Sequence, residues 1–82
     1  MKPIEYSDSA RKFLLKSDKA LSKKIVTKIE QLSTSPDQVQ IKKLRTKENL
    51  YRIRVGDYRI IFQNFNDTIL IISIGHRKDV YK

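Results

Sequence analysis

The sequence predicts an α+β fold: two N-terminal helices packed on one face of a small, mainly antiparallel four-stranded sheet, in the order β-α-α-β-β-β. Three observations predict it. Apolar residues between Ala10 and Leu32 recur at helical spacing, whereas those between Leu50 and Ile74 fall into short strand-like blocks. The blocks are punctuated by turn residues, Gly56-Asp57 and Asn66-Asp67. At 82 residues the chain suffices for one domain, 1–82, with one modest core, and no internal repeat or low-complexity linker divides it.

Ile4 to Tyr6 reads as a short strand. Ser7 or Asp8 then offers an N-cap oxygen to a first helix whose Ala10, Phe13 and Leu14 share a face. Ser17-Asp18 caps a second helix, in which Leu21, Ile25, Ile29 and Leu32 repeat at helical spacing until Ser33-Thr34-Ser35-Pro36 ends it. Residues 38–49 are polar and basic, anchored by Ile41 and Leu44, and read as a connector with room for one short strand. Leu50 to Val55 and Tyr58 to Gln63 form a hairpin across Gly56-Asp57, because glycine tolerates the positive φ such a turn requires. Asn66-Asp67 turns the chain into Thr68 to Ile74, completing a three-strand meander to which the first strand adds at an edge.

Eighteen lysines and arginines against nine acidic residues give a formal charge of +9. That excess favours a polyanionic partner, whether nucleic acid, an anionic membrane or an acidic protein, and among these phosphate is the commonest. With no cysteine there is no disulfide or thiolate metal site, a composition compatible with a reducing cytosol. The opening residues Met1 to Tyr6 do not resemble a signal peptide, and no run approaches the roughly 20 apolar residues of a membrane span. A cytoplasmic protein with no membrane partner is expected.

With Gly56 and Asp57 as the loop, Val55 pairs with Tyr58, Arg54 with Arg59 and Ile53 with Ile60. Arg52, Arg54 and Arg59 then share one sheet face, with two like charges directly opposed at a cost of up to about 1 kcal/mol. Stability does not favour that pair. Three guanidiniums on one face would grip phosphate oxygens through planar, forked donors, while the plainer alternative is a solvated surface. A second cluster, Gly75-His76-Arg77-Lys78-Asp79-Val80-Tyr81, lies where the last strand leaves the sheet. Gly75 would permit a sharp exit, His76 can carry a proton, Arg77 can stabilise phosphate charge and Tyr81 can donate a hydrogen bond or stack on a base. Lys43 and Arg45 in the connector, and Lys78 beside Arg77, are further candidate phosphate contacts. Between residues 11 and 28, Arg11, Lys12, Lys16, Lys19, Lys23, Lys24 and Lys28 meet a single acid, Asp18. They form either an ordinary helix surface or contacts to RNA.

The run Leu50-Tyr51-Arg52-Ile53-Arg54-Val55-Gly56-Asp57-Tyr58-Arg59-Ile60-Ile61-Phe62, followed by residues 75–81, resembles the core signature of RelE-type toxins in the RelE/ParE superfamily. The predicted element order resembles that fold over nearly the whole chain. The resemblance implies a metal-independent, cofactor-free endoribonuclease that cuts mRNA in the ribosomal A site by attack of a ribose 2′-OH on the adjacent phosphodiester. By motif position it implies that Arg59 and Arg77 hold the scissile phosphate and that Tyr81 orients or stacks the substrate. Arg52 and Arg54 stand where some members carry lysine; arginine keeps its charge, so their expected role is electrostatic. Proton transfer then falls first to His76 and second to Tyr81. The resemblance also implies the ribosome, mRNA and a cognate RelB-like antitoxin as partners. The superfamily includes ParE toxins that poison DNA gyrase by binding it, and a non-catalytic binding module on the same fold is the third alternative.

Overall fold

The computed structural model describes residues 2–44 and 49–76. The elements are β1 (Ile4–Tyr6), α1 (Asp8–Lys16), α2 (Lys19–Thr34), a short 3-10 turn (Pro36–Gln38), β2 (Lys42–Lys43), β3 (Leu50–Val55), β4 (Tyr58–Asn64) and β5 (Ile69–His76). The strands form one sheet in the order β1-β5-β4-β3-β2. Strand β1 runs parallel to β5, and the other neighbouring pairs are antiparallel. Two helices on a mostly antiparallel sheet is the predicted class. The fifth strand comes from the basic connector, where Lys42 and Lys43 pair with Arg52 and Tyr51.

The helix boundaries follow from side-chain chemistry. Ser7 caps α1, its hydroxyl accepting from the Ala10 N–H at 3.1 Å while donating to the Ile72 carbonyl at 2.6 Å. One serine thus satisfies a helix end and ties it to β5. Asp18 caps α2 by accepting from the Leu21 N–H at 2.8 Å. Caps of this kind contribute about 1 kcal/mol each. Between them Ser17 takes an extended backbone, and its N–H and hydroxyl both donate to the Phe13 carbonyl, which closes α1. Helix α2 stops at Ser35 because Pro36, which follows, has no N–H to continue the ladder.

The core lies between the helices and one sheet face. Ile25 and Ile29 of α2 and Ile53, Ile60, Phe62 and Ile71 of the sheet are its largest fully buried side chains. Ala10 supplies the close approach of α1, with Phe13, Leu14 and Leu21 packed at the margin. Each fully buried isoleucine or phenylalanine contributes about 1.5–3 kcal/mol by leaving water.

The first hairpin has the register expected from its turn: Val55 opposite Tyr58, Arg54 opposite Arg59, Ile53 opposite Ile60. Gly56 takes φ +59°, and Asn49 is the only non-glycine among the described residues with positive φ. Positive φ at the first loop position alone is the pattern of a type II′ turn. The second hairpin turns at Asn66-Asp67 as expected, since the register pairing Asn64 with Ile69 leaves those two residues at its tip. Phe65 and Thr68 flank that tip, the Phe65 N–H donating to the Thr68 carbonyl at 2.9 Å.

A β-bulge decides which way the end of β5 faces. Ile71 and Ile74 are both buried, although residues three apart in a regular strand point to opposite faces. At the bulge Ile61 pairs with Ser73 and Phe62 with Ile71, so Ile72 is the extra residue and both isoleucines reach the core. Beyond it the alternation is inverted, so His76 follows Ile74 onto the helix side. No described helix is long and apolar enough to cross a membrane.

Candidate functional site

The sheet register sorts the candidate residues by face. Arg54 and Arg59 are directly paired, and Arg52 is opposite Ile61, two residues from Arg59 on the same strand. All three arginines therefore lie on the face turned away from the helix core. Lys42, paired with Arg52, joins them from β2. The arginines are not equivalent. Arg52 is 8% exposed, and the Nε atoms of Arg52 and Arg59 are closed off from solvent, so the inner parts of both side chains are buried. Arg54 is exposed. Buried inner parts limit the conformations each guanidinium samples, which lowers the entropic cost of gripping an anion.

On β5 the residue opposite Arg59 is Gly75. The sharp exit expected at Gly75 is absent: this glycine is inside the strand, and Gly56 is the one described glycine with positive φ. Gly75 itself puts no side chain beside Arg59 on this face. Ser73, paired with Ile61, adds a hydroxyl one step further along.

Carboxylates of the described strands are distant. Among those strands Glu5 is the one acid on this face, paired with Leu70 at the far edge. Leu70 in turn pairs with Gln63, four residues from Arg59. Two strand spacings and four residues of rise place Glu5 roughly 16 Å from Arg59 along the sheet. That exceeds the screening length of about 10 Å at moderate salt, so Glu5 does little to neutralise the cluster.

Two expected contacts lie elsewhere. His76 pairs with Tyr58 and meets its ring edge-on at 5.5 Å; Tyr58 in turn meets Phe13 of α1 at 5.8 Å. His76 thus belongs to an aromatic cluster on the helix side, because the bulge inverts the alternation ahead of it. It is not placed to exchange a proton on the arginine face. Lys43 pairs with Tyr51, whose ring stacks on Phe62 at 5.7 Å on the helix side. In this strand Lys42, not Lys43, shares the arginine face. Arg45, Arg77, Lys78 and Tyr81 lie outside the described residues.

Sequence reasoning misses Lys42. Its direction depends on the register of a two-residue strand, and the connector lacks the apolar alternation that would reveal it. One displaced titration is remote from the arginines. Tyr6 sits on the helix face of β1, where burial, and then the Glu30 carboxylate, push its phenol above 10.0.

The fold of two helices over a mostly antiparallel sheet is shared with known proteins. Residues 4–81 match the family model for the ParE toxin of type II toxin-antitoxin systems. Toxin RelE3 of Methanocaldococcus jannaschii is 46% identical over 44 residues, which is 54% of this chain and 50% of that protein. The chain thus matches about half the length of this curated relative. Its fold superposes on RelE in the RelB-RelE antitoxin-toxin complex from Methanococcus jannaschii with a TM-score of 0.77, at 32% identity over 94% of both chains. The RelBE2 complex of Mycobacterium tuberculosis gives 0.76 at 26% identity, covering 93% of this chain and 98% of the other. The isolated Escherichia coli RelE toxin gives 0.78 at 22% identity, covering 99% and 92%, a likeness of fold. With the family match running nearly end to end, the chain belongs to the RelE/ParE family of type II toxin-antitoxin toxins.

Proposed function

We propose that this protein is a ribosome-dependent endoribonuclease that cuts mRNA in the A site and so inhibits translation in the cytoplasm. The supporting observation is the placement of Arg52, Arg54 and Arg59 together on one sheet face, two of them directly opposed. An opposed pair of like charges weakens a hairpin, and a phosphate dianion-like transition state between them would reverse the sign of that interaction.

In the proposed reaction the 2′-oxygen of the A-site nucleotide attacks the adjacent phosphorus. The O2′–P bond forms as the 2′-hydroxyl gives up its proton, and the P–O5′ bond breaks as O5′ takes one up, leaving a 2′,3′-cyclic phosphate and a 5′-hydroxyl. Charge gathers on the non-bridging oxygens, and the proposed role of Arg59, paired across the sheet with Gly75, is to receive them. Arg52 and Arg54 hold neighbouring backbone. Arg77 and Tyr81 complete the set by family resemblance, Arg77 on the same phosphate and Tyr81 stacking or moving a proton; Lys78 and Arg45 add charge. His76 is assigned no proton. So few groups able to exchange a proton make positioning the main source of rate: holding a 2′-OH in line with its phosphate can contribute about 7–11 kcal/mol. The ribosome supplies that alignment, which explains why free RNA should be a poor substrate.

A cognate RelB-like antitoxin is the proposed partner, since solved relatives are RelB-RelE complexes. A second reading, inhibition of DNA gyrase by binding, is favoured by the ParE description of the matched family. Induced expression separates the two. Messages cut inside codons support the nuclease; DNA breaks with intact messages support gyrase poisoning.

A further inference from the structure

The basic surface does not end at the arginine face. Strand β2 pairs with β3 only at Tyr51 and Arg52, so the connector before it diverges from the β3 edge. The divergence opens a cleft of about 640 Å³ lined by Lys28 of α2, Gln38, Gln40, Lys42, Arg52 and Arg54. A shallow, open depression continues past Arg54 toward the hairpin tip, lined by Lys23, Lys24 and Lys28 of α2 together with Arg54 and Gly56. Lys28 and Arg54 line both. The cleft and the depression therefore adjoin at Lys28 and Arg54, making a continuous basic surface around the sheet edge.

Among the described residues, no acid lines the cleft or the depression. Cations gathered along a groove repel one another and concentrate the field there, and a polyanion entering it relieves that repulsion while releasing counterions. Spacing favours a nucleic-acid backbone. Arg52 and Arg54 are separated by roughly 7 Å along β3, and Lys24 and Lys28 by roughly 6 Å along α2, each close to one nucleotide of an extended strand. Gln38 and Gln40 offer amides, which can both donate to and accept from ribose hydroxyls and base edges.

We infer that the β3 edge is a second single-stranded RNA site, in which Lys28 and Lys24 carry the backbone flanking the scissile phosphate from the arginine face onto α2. This rests on RNA being the ligand of the arginine face. It adds Lys24, Lys28 and the two glutamines to the binding surface, outside any residue expected to touch the reacting atoms.

The test measures binding of 2′-O-methylated oligouridylate, which cannot be cleaved by 2′-OH attack, to the full chain by fluorescence anisotropy across a salt series. Probes of about three and about twelve nucleotides contrast the arginine face alone with the whole basic surface. Lys24→Gln and Lys28→Gln should each weaken the longer probe roughly three- to tenfold and lower the salt slope by about 0.7 for each phosphate no longer neutralised. The shorter probe should be unaffected, and Lys28→Arg should restore the longer one. Lys12→Gln, an equal charge change on α1 outside the cleft and the depression, should alter neither. Lys24 is exposed, so its variant keeps the test independent of any effect on folding at half-buried Lys28.

Equal weakening by Lys12→Gln overturns the proposal, because net charge alone would then explain the result. Equal weakening of both probes also overturns it, as does stronger dependence on Lys24 and Lys28 for polyglutamate than for RNA, which would make the surface an acidic-peptide site. Absence of ribosomal cleavage with this binding pattern intact would remove the nuclease reading and leave the RNA surface standing.

Discussion

Arg54→Gln should make the protein more stable and less able to bind phosphate. Arg54 and Arg59 are cross-strand partners, and Arg54 is exposed. Directly opposed residues have Cα atoms about 4.5–5.5 Å apart, and splaying of the long side chains places the charges roughly 6–8 Å apart. At that separation in water the repulsion is about 0.5–0.7 kcal/mol, within the range for like-charged cross-strand pairs. For a domain of this size the gain corresponds to a rise in Tm of about 2–5 °C. Calorimetry in low and high salt is the assay: the gain should be present in low salt and shrink toward zero as salt screens the pair. Arg54→Lys should show no gain. A Tm that is unchanged or lower for Arg54→Gln in low salt would refute the idea that fold stability is sacrificed here for anion binding.

Other expectations concern the scaffold and its titration. Ile53→Ala, at a site with 0% exposure, should cost about 2–5 kcal/mol in urea unfolding because it leaves a cavity under β3. Deleting Ile72, the extra residue of the bulge, should cost less than a core truncation, since Ile71, Ser73 and Ile74 then alternate regularly and both isoleucines stay on the core side; circular dichroism should report retained cooperative unfolding. The Tyr6 phenol is held above its ordinary value by burial and by Glu30, so the folded state binds its proton more tightly than the unfolded chain. Its stabilising contribution is fully present below pH 10 and is lost as pH rises beyond it, and Tyr6→Phe should flatten the decline of stability in that alkaline range. His76→Gln should leave the single-turnover cleavage rate within about twofold of wild type, because its ring lies on the helix side rather than among the arginines.

Much of this arrangement is legible in the residues. Ser7 and Asp18 announce the helix starts, and Gly56-Asp57 fixes the first hairpin and with it the shared face of Arg52, Arg54 and Arg59. The second hairpin is less legible because Ile69, Leu70, Ile71, Ile72 and Ile74 are all apolar. Continuous hydrophobicity carries no alternation, so nothing in the sequence marks Ile72 as the extra residue, and the facing of His76 cannot be read. The same want of signal, from polarity instead of apolarity, hides β2. Residues 38–43 offer too little periodicity to distinguish Lys42 from Lys43, and only the pairing with Arg52 separates them. The basic surface around the β3 edge is also invisible in the sequence, because it depends on how α2 lies against a strand far from it along the chain.

Ribosomes programmed with a defined A-site codon, incubated with wild type and with Arg59→Ala and followed by primer extension, test the proposed chemistry most directly. Cleavage within that codon should appear with wild type and fall by about a hundredfold or more with Arg59→Ala, as removal of one group stabilising transition-state charge usually does. Intact message with the folded wild-type protein, or undiminished cleavage by Arg59→Ala, would contradict an arginine-held phosphate as the centre of the site.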